Sequence, residues 1–197
     1  MGNRLSATVV ALAICACSST QSHGQSQAKD STPTFSLFGG RVLGDAPLGT
    51  NGLLSNVEFG GSADFRVRAL PVPLRATLAF REESRSWEIS PMKYGTLSLE
   101  AVGKPLPRIF RVQPYLLGGL GLATRAEFVR ATYQVGADGQ YTYTGVRTIP
   151  RSWWAFADVG VGLELGRHFF VQSKIMVPVA SQGPTFVPLS VGFRFWD

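Results

Sequence analysis

Apolar and polar residues alternate along most of this chain. From Val57 to Val67 the odd positions are Val57, Phe59, Gly61, Ala63, Phe65 and Val67, while the even ones are Glu58, Gly60, Ser62, Asp64 and Arg66. Successive side chains of a strand point to opposite faces, so a period of two predicts a ribbon with one greasy and one polar side. The pattern returns at Leu74, Ala76, Leu78 and Phe80, then at Leu97, Leu99 and Ala101, then from Phe110 to Leu122. It continues from Ala155 to Leu165, from Phe169 to Val177 and from Val187 to Phe195, with a weaker first segment at Thr34 to Leu43. Eight strands of about ten residues result, the length a tilted strand needs to cross a bilayer.

The links between strands carry separate information. Those after the second, fourth and sixth strands are short: Ala69 to Pro73, Gly103 to Pro107 and Gly166 to His168. Those after the first, third, fifth and seventh are long: Gly44 to Leu54, Glu82 to Lys93, Ala123 to Ser152 and Pro178 to Thr185. An up-and-down barrel with both termini on its short-turn side predicts this alternation. Pairing Leu165 with Phe169 around a three-residue turn sets Leu163 against Val171, Val161 against Ser173 and Val159 against Ile175, so register and face agree. The fold expected is all-β: an eight-stranded antiparallel up-and-down transmembrane β-barrel.

Three segments carry a resemblance. Gln113-Pro114-Tyr115-Leu116-Leu117-Gly118-Gly119-Leu120-Gly121-Leu122, Asp158-Val159-Gly160-Val161-Gly162-Leu163-Glu164 and Pro188-Leu189-Ser190-Val191-Gly192-Phe193-Arg194-Phe195 resemble the small outer-membrane barrels of Gram-negative bacteria, the OmpA-type and OmpX-type proteins. The likeness spans roughly Thr34 to the end and rests on patterns shared by a superfamily. It implies an outer-membrane protein whose partners are membrane lipid, lipopolysaccharide and, during assembly, the insertion machinery, with a monomer expected. The family's assembly signal ends in an aromatic residue. Here Phe195 is followed by Trp196 and Asp197.

The first residues read as an export leader. Arg4 precedes the apolar run Leu5 to Cys17 and a small polar exit at Ser18 to Gly24, which is the layout of a secretory signal. The run falls short of the roughly 20 residues a spanning helix needs. Cleavage is expected after Gly24, leaving 25–33 as a flexible lead-in and 34–197 as the barrel domain. A competing reading makes Ile14 to Ser19 a lipobox with lipidation at Cys17. Both cysteines lie in the leader, so the exported chain offers no disulfide, thiolate nucleophile or thiolate metal site.

Alternation alone leaves open which side is wet. A membrane barrel is apolar outside, whereas a soluble or lipid-anchored lipocalin-like carrier is apolar inside. Aromatic placement favours the former. Trp87, Tyr94, Trp153 and Trp154 lie at the long-link ends, and Phe35, Phe110, Phe169, Phe195 and Trp196 at the short-turn ends, as two interfacial girdles would. Trp87 and Tyr94 fall out of phase by a simple count. The polar face then fills the barrel. Glu58, Asp64, Glu100, Asp158 and Glu164 would share the lumen with Arg66, Arg75, Arg111, Lys174 and Arg194, a balanced network because a lone buried charge is costly. Glycines at 60, 119, 160, 162 and 192 would leave room for those long side chains.

Composition narrows function mostly by exclusion. The 197 residues carry a formal net charge of +6, yet no basic cluster interleaved with stacking aromatics suggests nucleic-acid binding. There is no glycine-rich phosphate loop, paired-cysteine site or His-Glu-x-x-His run, so no catalytic residue, cofactor or metal is expected. A lipid A-modifying enzyme would need a Ser, a His and an acid near the outer leaflet. His168 falls instead in a short inner turn, and Asp158 and Glu164 stand about 20 Å apart along one strand. Function is expected in the long loops, as a non-enzymatic role in envelope integrity, adhesion or ligand contact. In the longest, Tyr133 to Thr144 places two alternating runs around Ala137-Asp138-Gly139, a hairpin. Arg125, Arg130, Arg147 and Arg151 outnumber Glu127 and Asp138 around it.

Overall fold

The computed structural model describes residues 33–43, 56–83, 90–136, 139–180 and 183–195. The leader, residues 25–32 of the lead-in, Cys17, Trp87 and Trp196 lie outside the described residues. Ten strands follow in chain order: β1 Thr34–Leu43, β2 Val57–Phe65, β3 Leu74–Glu83, β4 Met92–Gly103, β5 Val112–Arg125, β6 Phe128–Val135, β7 Tyr141–Ile149, β8 Ser152–Leu165, β9 Phe169–Pro178 and β10 Val187–Phe195. Eight of them, β1 to β5 and β8 to β10, close a barrel in which each strand pairs antiparallel with its neighbours along the chain. β1 closes the ring on β10, from Phe35↔Phe195 to Leu43↔Val187. The remaining two, β6 and β7, form a separate hairpin.

The register follows the side-chain pattern. Leu165↔Phe169, Leu163↔Val171, Val161↔Ser173 and Val159↔Ile175 are all direct partners, and Gly166 supplies the turn with φ +71°, a conformation that costs glycine nothing. Strand ends differ more. β2 stops at Phe65, not Val67, because the carbonyl of Val67 accepts the Leu70 N–H at 2.9 Å and the chain is already turning. β5 starts at Val112, because Ile109 and Val112 exchange both backbone hydrogen bonds around Phe110, whose φ is +55°. The loop hairpin is also longer than Tyr133 to Thr144. The β5–β8 ladder runs outward to Arg125↔Ser152, and β6 begins and β7 ends within a few residues of its end.

Polarity is inverted relative to a water-soluble barrel. Leu37, Phe59, Leu78, Leu97, Leu99, Leu120, Leu122, Val161, Ile175 and Val191 are all exposed on the outer wall. Glu58, Arg75, Arg81, Glu100, Asp158, Glu164 and Lys174 are buried. An exterior of contiguous apolar side chains this wide is far beyond the patches that monomeric soluble proteins expose. It suits a hydrocarbon solvent, in which a closed barrel leaves no backbone edge unsatisfied.

Candidate functional site

The lumen is built from the inward parity of each strand, and its charges fall into three tiers. At the short-turn end, Arg75 donates a forked pair of hydrogen bonds to Asp64, at 2.6 and 2.9 Å, and a third to Gln172 Oε1 at 3.1 Å. Tyr115 donates to the same Gln172 oxygen at 3.1 Å, and the Arg75 guanidinium lies 5.4 Å from the Tyr115 ring and 5.8 Å from that of Phe170. Arg194 bridges Asp64 at 3.4 Å and Glu164 at 3.0 Å, and Lys104 reaches Glu164 from the rim at 2.8 Å. In the middle, Lys174 Nζ sits 2.6 Å from Glu100 and 3.9 Å from Asp158, with Ser98 donating to Glu100 at 2.6 Å. Nearer the long-loop end, Arg81 pairs with Glu58, which also accepts from Ser190 at 2.9 Å.

Two expected members of this network lie elsewhere. Arg66 and Arg111 are exposed. Arg66 follows the last rung of β2 and Arg111 precedes the first of β5, so their inward parity has no wall to act through. Two other residues take those places: Arg81, which shares the parity of Arg75 along β3, and Lys104 in the β4–β5 turn. Arg81 was visible in the alternation. Lys104 sits in a turn, where period two says nothing of direction.

Glycines seat the large lumen side chains. Gly162 is the direct partner of Tyr115, Gly192 of Phe170, Gly121 of Phe156, Gly119 of Glu100 and Gly160 of Lys174. A Cβ on Gly162 would stand 2.2 Å from Tyr115 Cζ, and one on Gly192 2.2 Å from Phe170 Cζ. Each large side chain therefore lies across the bare backbone of its neighbour. Gly162→Val is expected to cost about 1–3 kcal/mol by overpacking against the Tyr115 ring, read as a lower urea midpoint in detergent micelles. An unchanged midpoint would mean the ring has another place to go.

The long-loop mouth is closed by an apolar plug. Val42, Met92, Tyr94, Ala123, Phe128, Trp154, Phe156, Met176 and Phe186 form one buried cluster. Tyr94 meets Phe186 and Trp154 edge-on at 5.1 and 6.2 Å, and Arg81 lies 4.9 Å from the Phe186 ring. Tyr94 and Trp154 are thus plug residues and not part of an outer girdle. Their parity puts them on the face of Thr96 and Asp158, turned inward. Trp153, with the opposite parity, is 66% exposed on the outer wall. At the short-turn rim, Phe35 and Phe169 are exposed on the outside, Phe195 is half-buried, and Phe193 stacks on His168 at 5.4 Å. Phe110 is almost fully exposed on its turn.

Comparison with known proteins adds similarity of fold only. No family model and no curated protein matches the chain. Among solved structures, it is similar to the N-terminal β-barrel domain of Pseudomonas aeruginosa OprF, at 18% identity and TM-score 0.43, covering 83% of this chain and 96% of that one. It is likewise similar to the Yersinia pestis outer membrane protein Ail in a phospholipid bilayer nanodisc, at 15% identity and TM-score 0.43, covering 83% and 100%. The crystal structure of Ail gives 17% identity, TM-score 0.42 and coverage of 83% and 97%.

The geometry decides between the two barrel types on its own terms. A carrier of an apolar molecule needs an oily interior, and this interior holds crossed ion pairs beneath a packed plug. The lipocalin-like alternative is therefore set aside. His168 lies exposed at the short-turn rim, at the opposite end of the barrel from the plugged mouth, with Nδ1 3.3 Å from the Arg194 carbonyl oxygen.

Proposed function

We propose that the chain is an integral barrel of the bacterial outer membrane that acts without catalysis, as a sealed scaffold holding its long loops at the cell surface. The observation that carries this reading is the inverted polarity: leucines, valines and phenylalanines outside, ion pairs within. The alternation of short and long links supports an orientation with the short turns facing the periplasm. The plug and the filled charge tiers make the barrel a pedestal and not a conduit, since eight strands enclose only enough space for side chains. What remains accessible from outside is the β6–β7 hairpin and its neighbouring loops, which serve envelope integrity, adhesion or ligand contact.

Fractionation tests the membrane part. The protein is expected to stay with membranes through high salt and carbonate and to leave only with detergent; release without detergent overturns the reading. Orientation is read with an impermeant thiol reagent on intact cells, where Thr142→Cys should label and His168→Cys should not. The reverse pattern would invert the barrel. Lipid A acyl patterns with and without the protein are expected to be identical, and a changed pattern would make it an enzyme.

A further inference from the structure

The three short turns, residues 66–73, 104–111 and 166–168, hold Arg66, Arg68, Lys104, Arg108, Arg111 and Arg167 and no Asp or Glu. Six cations equal the formal net charge of the whole chain, so the rest of the molecule is balanced. All six are exposed. The acids of the adjoining lumen tier are already engaged, Asp64 by Arg75 and Arg194, and Glu164 by Arg194 and Lys104. No carboxylate pairs with Arg108, Arg111 or Arg167 among the described residues.

These last three cations are held as a unit. Gly166 donates its N–H to the Arg111 carbonyl at 2.7 Å and its own carbonyl accepts from the Arg108 guanidinium, so the turn carrying Arg167 is tied to the turn carrying the other two. Between Arg108 and Arg111 stands Phe110. Ile109 and Val112 exchange backbone hydrogen bonds at 3.0 Å around it, and its φ of +55° falls at a place that hairpins give to Gly or Asn. A bulky side chain is strained there. The ring returns nothing to the fold, since it is 97% exposed. Strain kept by a residue that packs on nothing points to a role outside the fold. The lower border of the apolar belt is already formed on the outer wall by Phe35, Phe169 and Phe193. The basic collar lies past the last rungs, Val112↔Leu165 and Leu165↔Phe169, at the end of the barrel.

We infer that this collar docks on the peptidoglycan beneath the membrane, the guanidinium groups of Arg108, Arg111 and Arg167 gripping carboxylates of its peptide stems and the Phe110 ring lying on a sugar. Guanidinium forks match carboxylate oxygens in pairs. An aromatic face, negative at its centre, suits the C–H side of a sugar ring. A surface of one sign also draws in a polyanion over a distance. The barrel is thereby fixed from below while its long loops stay free above. The inference rests on the proposed orientation, which turns the short links to the periplasm.

The test is co-sedimentation of the whole exported chain, in phosphatidylcholine nanodiscs, with purified peptidoglycan sacculi and with sacculi whose carboxyl groups have been amidated. Wild type is expected to bind the native sacculi more tightly by about tenfold or more, the scale of a few charge-assisted hydrogen bonds. Replacing Arg108, Arg111 and Arg167 together by Gln should remove that preference, while Arg130→Gln with Arg147→Gln, at the other end of the barrel, should keep it. Phe110→Gly is expected to weaken binding and yet to unfold at an equal or higher urea concentration, because Gly takes this turn without strain. A ring with a structural role would instead lower that concentration. No preference for native sacculi in wild type, or preference retained in the triple variant, overturns the inference. Competition by phosphatidylglycerol vesicles at equal anion concentration would make the collar a leaflet anchor and overturn the cell-wall assignment. Labelling of His168→Cys on intact cells overturns the orientation and the docking with it; absent binding with His168→Cys shielded overturns the docking alone.

Discussion

Lys174→Glu is expected to lower the stability of the refolded barrel by about 3–5 kcal/mol, or to prevent refolding into micelles altogether, since breaking a buried ion pair strands its partners in low dielectric. The ammonium stands 2.6 Å from Glu100 and 3.9 Å from Asp158, with the lysine side chain 4% exposed and both carboxylates fully covered. Neither oxygen of Asp158 has a hydrogen-bond donor among the described residues, and Glu100 Oε2 has none either. Lys174 is thus the nearest compensation for two carboxylates at once, and its reversal would put three acids around Gly160. Relief by outward swinging is blocked, because the lysine lies against that glycine's backbone at a distance where even a Cβ would meet it at 2.8 Å. Urea unfolding followed by tryptophan fluorescence, together with heat-dependent gel mobility, gives the number. Pairing Lys174→Glu with Glu100→Lys should recover part of the loss, since the ion pair is restored with its ends exchanged. Full stability of the single variant would place Lys174 outside the sealed lumen.

The barrel was legible in the sequence because a membrane barrel makes every strand satisfy the same binary demand. Hydrocarbon on one side and a narrow charged core on the other force a strict period of two, and a one-residue slip would invert a whole strand. The register from Leu165↔Phe169 to Val159↔Ile175 followed from that constraint and one turn length. Less legible was where each strand leaves the wall. Parity assigns Arg66 and Arg111 to the lumen, but a parity is only a direction, and beyond the last rung there is no lumen to point into. The mouth plug was obscured for a related reason. Aromatics near strand ends look alike whether they face headgroups or each other, and only the phase of Tyr94 with Thr96, and of Trp154 with Asp158, separates the plug from an exposed ring such as Trp153. The hairpin was visible from the two alternating runs around Asp138. The pairing of its tip was not, because the register shifts between Thr132 and Tyr133, by an amount that composition does not encode.

Leu97→Arg probes the other side of the same wall. Leu97 lies near the middle of β4, pairs with Leu78 on one flank and Leu122 on the other, and is 56% exposed. In water, an arginine at such a site changes stability by no more than about 0.5 kcal/mol, as surface substitutions do. In a bilayer it is expected to cost about 2–4 kcal/mol near the midplane and about 0–1 kcal/mol near either interface. The measurement is therefore a profile and not a single value: arginine placed at Leu97 and, separately, at Phe35 and Leu43, which are exposed near opposite ends of β1, with folding free energies taken in lipid vesicles. A maximum at Leu97 falling away toward both ends would trace the hydrocarbon slab directly. A flat profile would mean that the exposed leucines face water, and the inverted polarity on which the membrane reading stands would then need a protein partner, not a lipid one, to cover it.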